Sequence, residues 1–140
     1  MNSIESNGGC LCGAVGYQVT GNVERFTLCH CSRCRKATGS AYTSNIMVSE
    51  GRVEWTHGED RIQRFKVPEA ERYSTCFCGN CGSPLPRVIP ETGLIAVPAG
   101  SLDEDPGVSP QAHIFWASRA EWLTPASYLP EYKEYPPGVV

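Results

Sequence analysis

Apolar and polar residues alternate with a period of two along much of this chain, the pattern of half-buried β-strands. Val15, Tyr17 and Val19 alternate with Gly16, Gln18 and Thr20, predicting a strand that ends at Gly21-Asn22. Phe26 and Leu28 carry the period into Cys29 and Cys31, with the two apolar side chains on one face and the two thiols on the other. Tyr42–Val48, Val53–Thr56 and Ile62–Val67 read as three more strands, broken at Glu50-Gly51 and His57-Gly58-Glu59-Asp60, in an antiparallel meander. Further strands are predicted at Arg72–Phe77, Leu85–Ile89, Leu94–Val97 and His113–Trp116. Pro84, Pro86, Pro90 and Pro98 hold the middle ones to short or edge positions. Ser32 is positioned to cap a helical turn through Ala37 that Gly39 closes, and Ser118–Trp122 reads as a second turn. The expected fold class is mostly β, with twisted antiparallel sheets of short strands and one or two short helical turns.

Composition agrees with this pattern and adds limits on function. A chain of 140 residues with 14 Gly and 11 Pro suits one domain rich in turns. The expected layout is a flexible tail over 1–8, one domain over 9–124, and a Pro/Tyr-rich tail over 125–140 lying extended or partly disordered on the surface. A formal charge of -3 lacks the basic footprint of a nucleic-acid binder. Met1–Gly9 has only Ile4 as a sizeable apolar residue after the start, and nowhere do about 20 apolar residues run together. No nucleic acid, no membrane and a cytoplasmic location are the expectations.

The eight cysteines carry the chemistry. Cys10/Cys12, Cys29/Cys31 and Cys76/Cys78 are C-x-C pairs whose side chains point the same way along a strand and can converge on one ion, which favours metal sites over disulfides. Gly13, Gly79 and Gly82 follow Cys12, Cys78 and Cys81, and glycine permits tight turns that aim backbone N–H groups at a metal-bound sulfur. Cys10, Cys12, Cys78 and Cys81 are therefore read as a closed, structural four-cysteine zinc site that staples the sheets.

Cys29, Cys31 and Cys34 lack such glycines and are followed by Arg35 and Lys36. Three thiolates leave one position of a tetrahedral Zn2+ open and give the site a net charge of -1, better suited to holding an incoming thiol than to activating water. Arg33, Arg35 and Lys36 could balance that charge and hold a carboxylate of the thiol compound, or line a solvated helix face. Cys76 is either a buried thiol near the four-cysteine site or the fourth ligand of the second. His30 alternates away from the neighbouring thiols and is assigned to the core or to a position supporting the thiol ligands, ahead of being a ligand itself, His113 to a packed position with reach toward a pocket, and His57 to the surface.

Taken together, Gly9-Cys10-x-Cys12-Gly13, Cys29-His30-Cys31-x2-Cys34 and Phe77-Cys78-x2-Cys81-Gly82 resemble the glutathione-dependent formaldehyde-activating enzyme family. The likeness extends to Ala99-Gly100-Ser-Leu102-Asp103, His113-Ile114 and Ser118-Arg-Ala-Glu-Trp122, covering about Gly9 to Trp122. It implies a structural zinc on Cys10, Cys12, Cys78 and Cys81 and a catalytic zinc on Cys29, Cys31 and Cys34. The implied activity is that of a carbon-sulfur lyase joining a thiol such as glutathione to formaldehyde or another small carbonyl. Two other functions stay open: a non-catalytic zinc module for a protein partner, with Cys76 as eighth ligand, and a thiol-redox or metal-sensing protein.

Overall fold

Strands β1 (Asn2–Gly9), β2 (Gly16–Cys29) and β3 (Thr43–His57) form one continuous antiparallel surface. The computed structural model describes residues 2–123 and 128–139. After β2 come helix α1 (Ser32–Thr38) and β3, then β4 (Ile62–Lys66), β5 (Ser74–Cys78), β6 (Arg87–Val88), β7 (Ile95–Pro98) and β8 (Ala112–Ile114). Short 3-10 turns occupy Glu59–Arg61, Ala99–Ser101 and Trp116–Ser118. The larger sheet runs β1-β2-β3-β7-β6, with β8 added beside β2, and β4-β5 make a separate two-stranded sheet. The mostly β architecture follows the alternation in the sequence. No helix among the described residues is long and apolar enough to cross a membrane.

The core lies between the two sheets. Val15, Tyr17, Val19, Phe26, Ile46, Val48, Ile95 and Val97 from the large sheet pack with Ile62, Cys76, Cys78 and Leu85. Cross-strand pairs Phe26↔Ile46, Ile46↔Val97 and Val48↔Ile95 put β-branched and aromatic side chains on the inner face.

Several expected boundaries shift, each for a physical reason. Of the tail expected over 1–8, residues 2–8 instead belong to β1, which pairs with β2 from Asn2↔Val23 to Gly9↔Gly16. Its inward positions are Ile4, Ser6 and Gly8, so the apolar signal is faint. Glycine is required at the last of them, because a Cβ on Gly8 would lie 2.5 Å from the Tyr17 ring and hydroxyl. Gly21-Asn22 does not end β2, nor does Glu50-Gly51 divide β3. The two breaks face each other, with register shifts at Thr20/Asn22 and Val23/Arg25, Glu50 at φ 48 and the Gly21 and Gly51 backbones in close approach. They bend a long ribbon as β-bulges.

The meander is also interrupted. β4 leaves β3 to pair with β5, and β8 runs parallel to β2. The strand expected at Leu85–Ile89 shortens to Arg87–Val88 between prolines, and Trp116 leaves the last strand for a 3-10 turn. That turn at Trp116–Ser118 precedes the helical turn expected at Ser118–Trp122. Of the expected tail, 125–127 and 140 lie outside the described residues, while Tyr128, Tyr132 and Tyr135 are exposed.

Tyr17 is 1% exposed, and its hydroxyl lies 2.7 Å from Ser101 Oγ, which donates in turn to the Pro98 carbonyl. Burial, opposed in part by that hydrogen bond, raises the Tyr17 hydroxyl to about 12. The folded protein holds this proton where the unfolded chain, titrating near pH ~10, has lost it. Stability is thus expected to be intact below about pH 10 and to fall by up to about 3 kcal/mol as the pH rises to about 12. Urea unfolding of wild-type and Tyr17→Phe protein across that window checks this. The variant should lose that part of the pH slope, and parallel slopes would contradict the assignment.

Candidate functional site

The first centre is built from two turns. Cys10 and Cys12 occupy the β1–β2 turn, where Gly13 has φ 81, and Cys78 ends β5 ahead of Cys81 and Gly82, which has φ 80. The four Sγ atoms all lie within 4.8 Å of one another. Cys10–Cys12 and Cys12–Cys78 are separated by 3.6 and 3.9 Å. Sulfurs at the corners of a tetrahedron about 2.3 Å from a zinc ion stand about 3.8 Å apart, so the spacing fits this metal.

Every sulfur of this centre also meets a donor. The Val15 N–H reaches Cys10 at 3.2 Å, the Asn80 N–H reaches Cys78 at 3.4 Å, and the Asn80 side-chain amide reaches Cys12 at 3.2 Å. The Ser83 hydroxyl accepts from the Leu11 N–H and stands 3.2 Å from Cys81. That hydroxyl, ahead of backbone N–H groups, lowers the Cys81 thiol to about 5. A set of sulfurs each supplied with a donor suits thiolates held on a cation.

One expectation about this centre changes and another gains a contact. Gly79 does not take a positive φ; its constraint is space, since a Cβ would meet the Arg61 carbonyl at 2.8 Å. His57 is on the surface as expected, yet its Nε2 lies 2.9 Å from the Gly13 carbonyl and braces the Cys12 turn.

The second centre forms where β2 runs into α1. Cys29, Cys31 and Cys34 bring their Sγ atoms within 4.8 Å of one another. Cys31, not Ser32, caps the helix, because its sulfur accepts the Cys34 N–H at 3.3 Å. The helix start thus supplies the N–H···S bond that glycine turns give the first centre. Gly39 closes α1 in the left-handed region at φ 64, as the sequence predicts. Burial pushes the Cys29 thiol up to about 12, so a thiolate there calls for a cation. These three thiols could hold a zinc ion and leave one position open.

His30 confirms the core assignment. It is fully buried, with its N–H bonded to the Ile114 carbonyl at 2.9 Å and its Nε2 2.8 Å from His113 Nδ1. Its ring packs on Tyr42 and Trp116. Burial first, then His113 and Arg119, lower its pKa, which keeps it neutral. The His30 side chain therefore anchors the Cys29–Cys31 segment to β8.

A cleft of about 680 Å³ opens beside the second centre, and Cys34 lines it. Arg33 and Lys36 line it too, while Arg35 does not: its Nε is buried without a partner. Helical geometry explains the difference, since Arg33 and Lys36 are three residues apart and share a face that Arg35 leaves. Two contributors escape the sequence reading. Tyr73, just before β5, donates its hydroxyl to Cys34 Sγ at 3.6 Å. Arg87 of β6 lines the cleft with its guanidinium carbon 5.9 Å from the Tyr73 ring centroid.

Burial, and then the bond to Cys34, raises the Tyr73 hydroxyl above its ordinary range, so it remains a donor. Alternation with Thr75 and Phe77 could have placed Tyr73 on the face opposite Cys76, but its approach to Cys34 is a tertiary contact. No described residue lining the cleft is acidic, and the one side-chain ion pair among the described residues is Arg52–Glu54, elsewhere. Arg33, Lys36 and Arg87 therefore carry charge with no internal partner.

Cys76 is buried in the core between the sheets and belongs to neither thiol group. The non-catalytic module loses the eighth ligand that motivated it.

Comparison with known proteins adds to this geometry. No curated protein matches the chain. A crystal structure of a Rhodobacter sphaeroides protein is similar in fold, with a TM-score of 0.53 and 22% identity, covering 76% of this chain and 97% of that one. Residues 5–118 match the family described as glutathione-dependent formaldehyde-activating enzyme. That match runs from β1 to the turn at Trp116–Ser118 and takes in all seven clustered thiols, so the chain belongs to the glutathione-dependent formaldehyde-activating enzyme family.

Proposed function

We propose that the protein is a zinc-dependent carbon-sulfur lyase in which a thiol such as glutathione adds to formaldehyde or another small carbonyl. The observation that carries this reading is that Cys34 belongs to the three-thiol centre and also lines the cleft. Zinc bound by Cys29, Cys31 and Cys34 would supply a site that holds the substrate sulfur in its nucleophilic form. Cys10, Cys12, Cys78 and Cys81 would hold a second zinc with a structural role.

The chain's own residues do the rest. Arg33, Lys36 and Arg87 attract the carboxylates of the thiol and orient it, an effect strengthened where the cleft excludes water. Tyr73 keeps its proton and directs a hydroxyl at Cys34, fixing that sulfur's position.

Exchange spectroscopy on mixtures of glutathione and formaldehyde tests the reading, because the uncatalysed addition is itself measurable. Zinc-loaded protein is expected to accelerate exchange. Arg87→Ala is expected to raise KM for glutathione about tenfold with little change in kcat, the loss of one charged hydrogen bond. Arg35→Ala, off the cleft, should leave both constants near wild type. No acceleration by fully loaded protein would exclude these substrates.

A further inference from the structure

The small β4–β5 sheet packs against the core and also borders the cleft, which Phe65 and residues 74–77 line. Ile62, Cys76 and Cys78 point into the core, so by alternation Gln63, Phe65, Thr75 and Phe77 occupy the other face, and Val67 follows just past the end of β4. An antiparallel sheet with one buried face ordinarily turns polar residues outward. Here two phenylalanines share the outward face with Gln63 and Thr75; both phenylalanines and Val67 line the cleft, and Phe65 is 53% exposed. Folding alone gives no reason for that placement.

The cleft is also divided by chemistry. Its cations come from α1 and β6, as Arg33, Lys36 and Arg87, and its aromatic wall from Phe65 and Phe77 of β4–β5, continued by Val67, Leu85 and Ala96. A tripeptide thiol is polar along its length and would gain little from the apolar wall, where its amides would lose water without a replacement. A one-carbon carbonyl is too small to reach it. A volume of about 680 Å³ is that of a site for a drug-sized ligand.

We propose that the carbonyl substrate carries an apolar substituent, an aliphatic chain or an aromatic ring, which seats on Phe65, Val67 and Phe77 while Arg33, Lys36 and Arg87 hold the charged thiol. This rests on the reading of the cleft as the thiol-carbonyl site. In the reaction the thiol sulfur bonds to the aldehyde carbon and the C=O π pair moves to oxygen. That oxygen gains one proton, matching the one the thiol gives up, and nothing is oxidised or reduced.

Titration calorimetry on zinc-loaded protein with free glutathione, S-methylglutathione and S-hexylglutathione separates the possibilities. The thioethers present the substituent without reacting. S-hexylglutathione is expected to bind at least about tenfold tighter than S-methylglutathione, from burial of its added methylenes. Phe65→Ser, at an exposed position, should narrow that difference. Equal binding of the two thioethers would overturn the apolar seat while leaving the thiol site standing. Binding of none of the three would overturn the thiol site and this inference with it.

Discussion

Cys78→Ser is expected to abolish the native fold. Cys78 is fully buried, belongs to the core cluster and ends β5 at a centre that also draws on the β1–β2 turn. The four thiols join segments that are far apart in the chain, so losing the metal would free the β4–β5 sheet from the large sheet. Structural zinc contributes an apparent ~10 to 16 kcal/mol in zinc-finger peptides, against a total stability of about 5 to 15 kcal/mol for a whole domain. Near-UV circular dichroism and zinc content report the result. A variant that stays folded and keeps its unfolding midpoint in a chelator would show that the four thiols are mere core packing.

Cys34→Ser is expected to do something different: the protein stays folded, keeps one tightly held zinc of two, and loses activity by about a thousandfold, equivalent to ~4 kcal/mol of transition-state stabilisation. The second centre closes only a local segment, from the end of β2 into the short helix α1, so its loss leaves the sheets joined. Its sulfur is where the centre meets the cleft. Zinc stoichiometry by dye release, alongside exchange kinetics, checks both parts. Unfolding like that of Cys78→Ser would make the second centre structural as well. Retained activity with one zinc would place the chemistry elsewhere.

These two outcomes differ although the substitutions are chemically the same. The contrast comes from what each centre connects, which spacing along the chain reports only in part. Glycines after Cys12 and Cys81 correctly mark tight positive-φ turns, but the absence of glycine around Cys31 does not deprive that centre of N–H···S bonds. A helix start provides the same donor, and the expected cap at Ser32 moves to Cys31 for that reason.

The sequence already carries the class of fold, the alternation of most of the strands and the partition of seven thiols into four and three. Alternation and short-range spacing encode these directly, because side-chain direction along a strand depends only on the neighbouring residues. Tertiary packing is what reveals residues 2–9 as a strand, since of its inward positions Ser6 and the Gly8 that lies against Tyr17 carry no apolar signal. It also decided that Cys76 stands apart from both centres, and that Tyr73 and Arg87, not Arg35, complete the cleft. Those contacts join residues from α1, β5 and β6, and their closeness follows from how two sheets pack, which no local pattern records.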